Sequence, residues 1–161
     1  MRQLRDPKHG CPWDLEQSYH SIVPHTLEEA YEVADAIESE DFDSLPGELG
    51  DLLFQVVFYC QLGEEEGRFS FEQVVAAIET KLTGRHPHVF ADAEANDRQR
   101  VSENWERHKA AERAARDAIS ELDEVALALP ALSRAAKIQK RAARVGFDWP
   151  NAAGALAKVD E

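Results

Sequence analysis

The sequence predicts an all-α fold, a bundle of amphipathic helices, on three observations. Apolar residues recur at helical spacing, as in Leu27, Ala30, Tyr31, Val33, Ala34 and Ile37. Helix start and stop signals punctuate the chain: Thr26 with Glu29 three residues on, Pro46 in a first turn, Gly67 at an end, and Ser70 with Gln73. One stretch, Leu52-Leu53-Phe54-Gln55-Val56-Val57-Phe58-Tyr59-Cys60, is apolar nearly all round, as in a helix buried within a bundle or across a subunit interface.

The elements follow in order. Residues 1–13 are polar, with Pro7, Gly10 and Pro12, and read as an entry loop. A short helix is expected from Asp14 to about Ile22, ending before Pro24 because proline disfavours helix in the residue before it. Thr26 then opens a second helix running to about Ser39, with Glu29 as the capping-box partner. A polar turn, Glu40 to Ser44, leads to a third helix ending at about Glu66. Gly50 lies within it and would let another helix approach closely. A fourth helix spans Ser70 to about Gly84, and Arg85 to Phe90 reads as a loop. A polar helix is expected from Asp97 to about Ile119, and a basic one from Leu129 to about Val145. A turn, Gly146 to Pro150, precedes a last helical stretch.

The formal net charge of −13 argues against general nucleic-acid or anionic-membrane binding, which rest on Lys and Arg contacts to phosphate. No apolar run reaches the roughly 18 residues of a membrane span. Cys11 and Cys60 read as two thiols rather than a disulfide framework, and the expected location is the cytoplasm. Hydrophobic residues make up 43% of the chain, enough for a real core.

The candidate chemistry lies in two pairs of carboxylates, Glu29 with Glu32 and Glu48 with Asp51, each spaced i, i+3. That spacing puts each pair on one helical face. If the two helices pack together, four acids converge and repel unless they share a cation. All-oxygen ligands suit a hard ion such as Mg²⁺ or Mn²⁺. The competing reading is a solvated helix face. Against it, Asp51 runs directly into the most apolar stretch, where an unpaired charge is costly. Glu28 adjoins the set but lies about 100° round the helix from Glu29, where it either faces solvent, the favoured reading, or holds a second metal or a water.

Lys81 and Arg85, spaced i, i+4, suit polyphosphate oxygens, although cations at a helix C-terminus are also favoured by the macrodipole. Trp105 and Lys109 offer a ring and a charge at the same spacing; a packing anchor is the alternative for the tryptophan. His86 and His88 flank Pro87, and zinc there would need ligands from elsewhere.

Five blocks resemble the MazG-type nucleoside triphosphate pyrophosphohydrolases: Gly10-Cys11-Pro12-Trp13-Asp14, Thr26-Leu27-Glu28-Glu29-Ala30-Tyr31-Glu32, Glu48-Leu49-Gly50-Asp51-Leu52-Leu53, Arg85-His86-Pro87-His88-Val89-Phe90 and Arg141 to Pro150. The family's metal signature, ExxE followed by ExxD, falls on Glu29, Glu32, Glu48 and Asp51. Its phosphate- and nucleotide-contacting positions fall on Lys81, Arg85, Trp105 and Lys109. The resemblance implies a helical bundle of the all-α NTP pyrophosphatase type that dimerises through an apolar helix. It also implies Mg²⁺ dependence, with Mn²⁺ as a substitute, and cleavage of a nucleoside triphosphate to the monophosphate and pyrophosphate. It singles out no general base. Residues 1–119 would form this domain; 120–161 would be a linker and the truncated start of a second copy, because Gly146 to Glu161 loosely echoes Pro12 to Glu28. Two departures stand out: Gly84 where the family has a second Arg, and Pro46-Gly47 before Glu48. The very apolar third helix, together with the missing Arg at position 84, supports the alternative of a weakly active or inactive copy acting as a dimerisation and nucleotide-binding module.

Overall fold

The computed structural model describes residues 1–90, 105, 122–123 and 125–159. The described elements are helical: α1 (Pro12–Glu16), α2 (Tyr19–Glu38), α3 (Leu45–Glu65), α4 (Phe71–Arg85), α5 (Pro87–Phe90), α6 (Ala131–Arg144) and α7 (Ala152–Val159). There is no strand among the described residues. The all-α class therefore holds. The chain divides into two compact units, Met1–Gly84 and Arg85–Glu161.

In the first unit, α2 and α3 form an antiparallel hairpin around Ile22, Phe58 and Leu62, joined by the half-buried Met1, Tyr19 and Tyr59. The contact seam follows the sequence closely. On α2 it runs Ile22, Thr26, Glu29, Val33 and Ala36; on α3 it runs Glu48, Gln55, Phe58 and Leu62, with the exposed Asp51 at the same helical spacing. Both runs alternate steps of four and three, which keeps a stripe on one side of a helix. The acids thus occupy positions of the core repeat, near the end of the hairpin farther from Phe58.

Two expected boundaries are corrected. No helix end falls at Pro24. The helix starts earlier, at Ser18, whose hydroxyl accepts from the Ser21 N–H while the Ser18 N–H donates to the Ser21 hydroxyl. Pro24 is then the sixth helical residue, so its missing N–H forfeits only one bond of the ladder, and packing of Ile22 outweighs that loss. Thr26 is consequently no cap: its hydroxyl donates to the Ile22 carbonyl oxygen at 3.1 Å. Glu29 is released from the capping role.

The second correction is at 85–90, where Pro87 opens the short helix α5 in place of a loop. Other signals read true. Gly67 takes φ +65 just past the end of α3, and the Ser70 and Gln73 box forms in both directions. Among the described residues no atom lies within 4 Å of a Cβ added at Gly50, so no described helix approaches it. The close approach occurs instead at Gly63, where a Cβ would meet Phe69 at 2.8 Å.

The entry segment is held to the end of α3. The Arg5 guanidinium, 8% exposed, lies over the Phe58 ring at 5.6 Å and donates to Glu65 at 2.7 and 2.9 Å, and also to the carbonyl oxygens of Asp14 and Gln17. The all-round burial expected for α3 is not met within one chain. Phe58, Cys60 and Leu62 are buried, but Leu49, Leu53, Phe54 and Val56 are 37–55% exposed.

In the second unit, α6 is strongly amphipathic, and Ala135, Ile138 and Ala142 line a cavity of about 560 Å³ with Phe147 and Trp149. Gly154 of α7 abuts Trp149, where a Cβ would meet the ring at 2.6 Å. Leu132 and Phe147 are more than 80% exposed. The expected helix over 97–119 lies outside the described residues except for Trp105, which is helical.

Candidate metal centre

The hairpin brings Glu29, Glu48 and Asp51 together: one carboxylate oxygen from each lies within 4.8 Å of the other two. Glu29 and Glu48 are half-buried and Asp51 is exposed. α2 supplies Glu29 from the middle of its contact seam. α3 supplies Glu48 from its first turn, where the helix dipole favours an acid. Pro46 fits that first turn without disturbing it.

Glu32 is not one of these three convergent groups. It lies one helical turn after Glu29 on α2, close enough for its charge to push the Glu29 carboxyl up. It also lines a shallow cavity of about 500 Å³ on the outer face of α2 with Glu28, Tyr31, Asp35 and Glu38. Glu28 lies on this outer face, with a carboxylate oxygen 3.7 Å from the His25 Nδ1, so it stands apart from the cluster, as its position round the helix requires.

The cluster is electrostatically strained. Burial pushes the Glu29 carboxyl above its ordinary value, and the charges of Glu32 and then Asp51 push it further in the same direction. Among the described residues, no Lys or Arg is ion-paired with Glu29, Glu32, Glu48 or Asp51. Oxygen-only donors from three converging carboxylates, with a fourth beside them, fit a hard divalent cation and offer nothing to a soft one.

The expected cations are distributed along α4. Lys81 and Arg85 share that helix four residues apart, with Arg85 falling in the second unit. There the Arg85 guanidinium stacks 4.9 Å from the centre of the Trp105 ring, and His86 meets the same ring edge-on at 5.2 Å. His88 lies 5.6 Å from His86. Trp105 is therefore a partner of Arg85, a contact that the sequence spacing did not reveal. One ring face is taken by the guanidinium. Lys109 lies outside the described residues.

A helical hairpin that converges acids from an ExxE and an ExxD segment defines a class: an all-α protein with a carboxylate centre suited to a divalent ion. Residues 17–90 match the MazG nucleotide pyrophosphohydrolase domain, and this match contains all four acids. The chain is 58% identical over all its 161 residues to the nucleoside triphosphate pyrophosphohydrolase of Escherichia coli K12, covering 61% of that protein. It is 40% identical, again over its full length, to the nucleoside triphosphate pyrophosphohydrolase/pyrophosphatase MazG of Thermotoga maritima, covering 61% of it. Over 140 residues it is 47% identical to the YabN protein of Bacillus subtilis, covering 28% of that protein. The chain belongs to the MazG family. It spans about three fifths of the length of the first two relatives.

Proposed function

We propose that this chain hydrolyses nucleoside triphosphates to the nucleoside monophosphate and pyrophosphate, with Mg²⁺ as the working ion and Mn²⁺ as a substitute. The observation that carries the reading is the convergence of Glu29, Glu48 and Asp51 within 4.8 Å, at the positions of the family's metal signature. The printed names of the Escherichia coli and Thermotoga maritima relatives support it.

In this reading Glu29, Glu48 and Asp51 hold the ion, and Glu32 completes the set from the edge of the seam. A bound Mg²⁺ would neutralise triphosphate charge and polarise a phosphoryl oxygen. The chain's own groups do the rest. Lys81 and Arg85 bind phosphate oxygens, and Trp105 with Lys109 orients the nucleotide. Packing of α2 on α3 fixes the carboxylates before substrate arrives, so little reorganisation is needed during reaction. Water attacks the α-phosphorus in line with the departing pyrophosphate.

The chain forms a homodimer through α3, supported by exposure of Leu49, Leu53, Phe54 and Val56. Phe58, expected to need cover from a partner, is already buried within one chain and is not part of that face. Residues 1–119 are the pyrophosphohydrolase domain, and 120–161 are a linker and the start of a second copy. The two free thiols and the net charge of −13 support a cytoplasmic enzyme that does not bind nucleic acid or membrane. No described helix is long and apolar enough to cross a membrane.

The test is a panel of ribo- and deoxyribonucleoside triphosphates incubated with Mg²⁺, with products separated by anion exchange. Monophosphate and pyrophosphate in equal amounts are expected. Diphosphate with inorganic phosphate would refute the reaction type. Nucleotide binding without turnover would favour the alternative of an inactive binding copy.

A further inference from the structure

Gln55 is 6% exposed, and among the described residues nothing hydrogen-bonds its carboxamide. A buried amide without a partner is costly, and most buried polar side chains have one. The next seam positions on α3 are filled by Phe58 and Leu62, which need none. A glutamine held at this point of the seam therefore calls for a partner.

Two contacts that flank Gln55 fix what it faces. It lies four residues after Asp51 and four before Tyr59. Asp51 converges with Glu29, and Tyr59 bonds Thr26 at 2.7 Å. Gln55 thus faces the single turn of α2 between Thr26 and Glu29. Long side chains on a helix lean back over the turn N-terminal to their own Cα. For Gln55 that turn carries Asp51, so the carboxamide is directed at the carboxylate cluster and away from Phe58.

The groups in that direction are not equivalent. The Thr26 hydroxyl is already engaged, with the Ile22 carbonyl oxygen and with Tyr59. Asp51 is exposed and has water. Glu29 is half-buried, burial disfavours its charge, and the charges that act on it are those of other acids. A neutral N–H donor is what this carboxylate lacks.

We propose that Gln55 is a positioning residue of the carboxylate centre: in the ion-bound centre its Nε2 donates to the Glu29 carboxylate and holds that group in its ligating orientation. Ligating carboxylates are held in this way by groups outside the ligand set, and removing such a group typically costs about ten- to a hundredfold in metal affinity. This rests on the metal-centre part of the proposed function, and the pairing is testable without turnover.

The whole chain, labelled with ¹⁵N in glutamine, is titrated with Mg²⁺ while the Gln55 carboxamide is followed by NMR. One carboxamide proton should shift downfield and exchange more slowly with water as the ion binds. In parallel, Mn²⁺ affinity and metal-free stability in urea are measured for wild type and Gln55→Met. Methionine keeps the length and removes the amide, so metal-free stability should be equal or higher, while Mn²⁺ affinity should fall about tenfold. An unchanged carboxamide signal in a wild-type chain that binds the ion would overturn the proposal, as would unaltered Mn²⁺ affinity in Gln55→Met. A loss of affinity matched by a loss of metal-free stability would also overturn it, since Gln55 would then only pack. Should Gln55→Met fail to fold, the wild-type titration decides alone. A wild type that binds neither ion would overturn the metal centre and this role together. Ion binding with the Gln55 response, but no pyrophosphate release, supports the positioning role and counts against the pyrophosphohydrolase reading alone.

Discussion

The hydroxyls of Thr26 and Tyr59 lie 2.7 Å apart and hydrogen-bond α2 to α3. Thr26 is one helical turn before Glu29, so this bond sets the register of the two helices close to the carboxylate centre. Tyr59 is itself held by parallel stacking on Tyr19, with ring centres 6.1 Å apart. Polar contacts of this kind specify one arrangement of a hairpin whose apolar seam alone tolerates small slips.

Removing either hydroxyl should therefore affect the centre as well as the fold. Thr26→Val and Tyr59→Phe are each expected to cost about 1 kcal/mol in urea unfolding. The double variant should cost less than their sum, because both changes remove the same bond. Metal affinity should fall in all three variants. Strict additivity would show that the two hydroxyls act independently.

The Arg5–Glu65 pair makes a pH-dependent contribution. Its hydrogen bonds with Arg5 hold the Glu65 carboxyl below its ordinary value, although burial opposes this. A depressed carboxyl stabilises the fold above its unfolded-state value, and that contribution is lost as pH falls through the folded-state value. The stability lost on acidification below the ordinary carboxylate range should thus be smaller in Glu65→Gln than in wild type. Arg5→Ala should cost about 2 kcal/mol at neutral pH, since it also leaves the Asp14 and Gln17 carbonyl oxygens short of a donor. Parallel pH profiles for wild type and Glu65→Gln would rule out this role.

Association should depend on the exposed face of α3. Leu53→Asp places a charge in the centre of the run Leu49, Leu53 and Val56, without touching the buried Phe58 or Leu62. Sedimentation velocity at micromolar concentration should show a dimer for wild type and a monomer with unchanged helical content for the variant. A wild-type monomer would contradict dimerisation through α3.

Much of this architecture was legible in the sequence because it is written in local chemistry. Pro46, Gly67 and the Ser70–Gln73 box act within a few residues, and all three marked helix ends correctly. The convergence of Glu48 with Asp51 was legible as a candidate ligand pair because the two acids share one helical face and run directly into the most apolar stretch of the chain. Pro24 misled because the local bias against helix before proline competes with burial of Ile22, a tertiary effect no short window contains. For the same reason, Thr26 read as a cap although it is a mid-helix bridge to Tyr59. The stacking of Arg85 on Trp105 was illegible since it joins residues twenty positions apart. The placement of Glu32 at the edge rather than within the trio depends on the rotation of α2 against α3, which spacing alone leaves undetermined.

In the proposed function, turnover depends on a metal centre formed by the convergent carboxylates. The direct measurement is Mn²⁺ affinity by electron paramagnetic resonance, taken with the turnover rate, for wild type, Glu48→Gln and Asp51→Asn. These variants keep side-chain size and remove one charge each, so circular dichroism should be unchanged. Each variant is expected to lose at least about tenfold in Mn²⁺ affinity, about 1.4 kcal/mol, and all detectable pyrophosphate release. Near-normal turnover in either variant, with or without a change in Mn²⁺ binding, would contradict it.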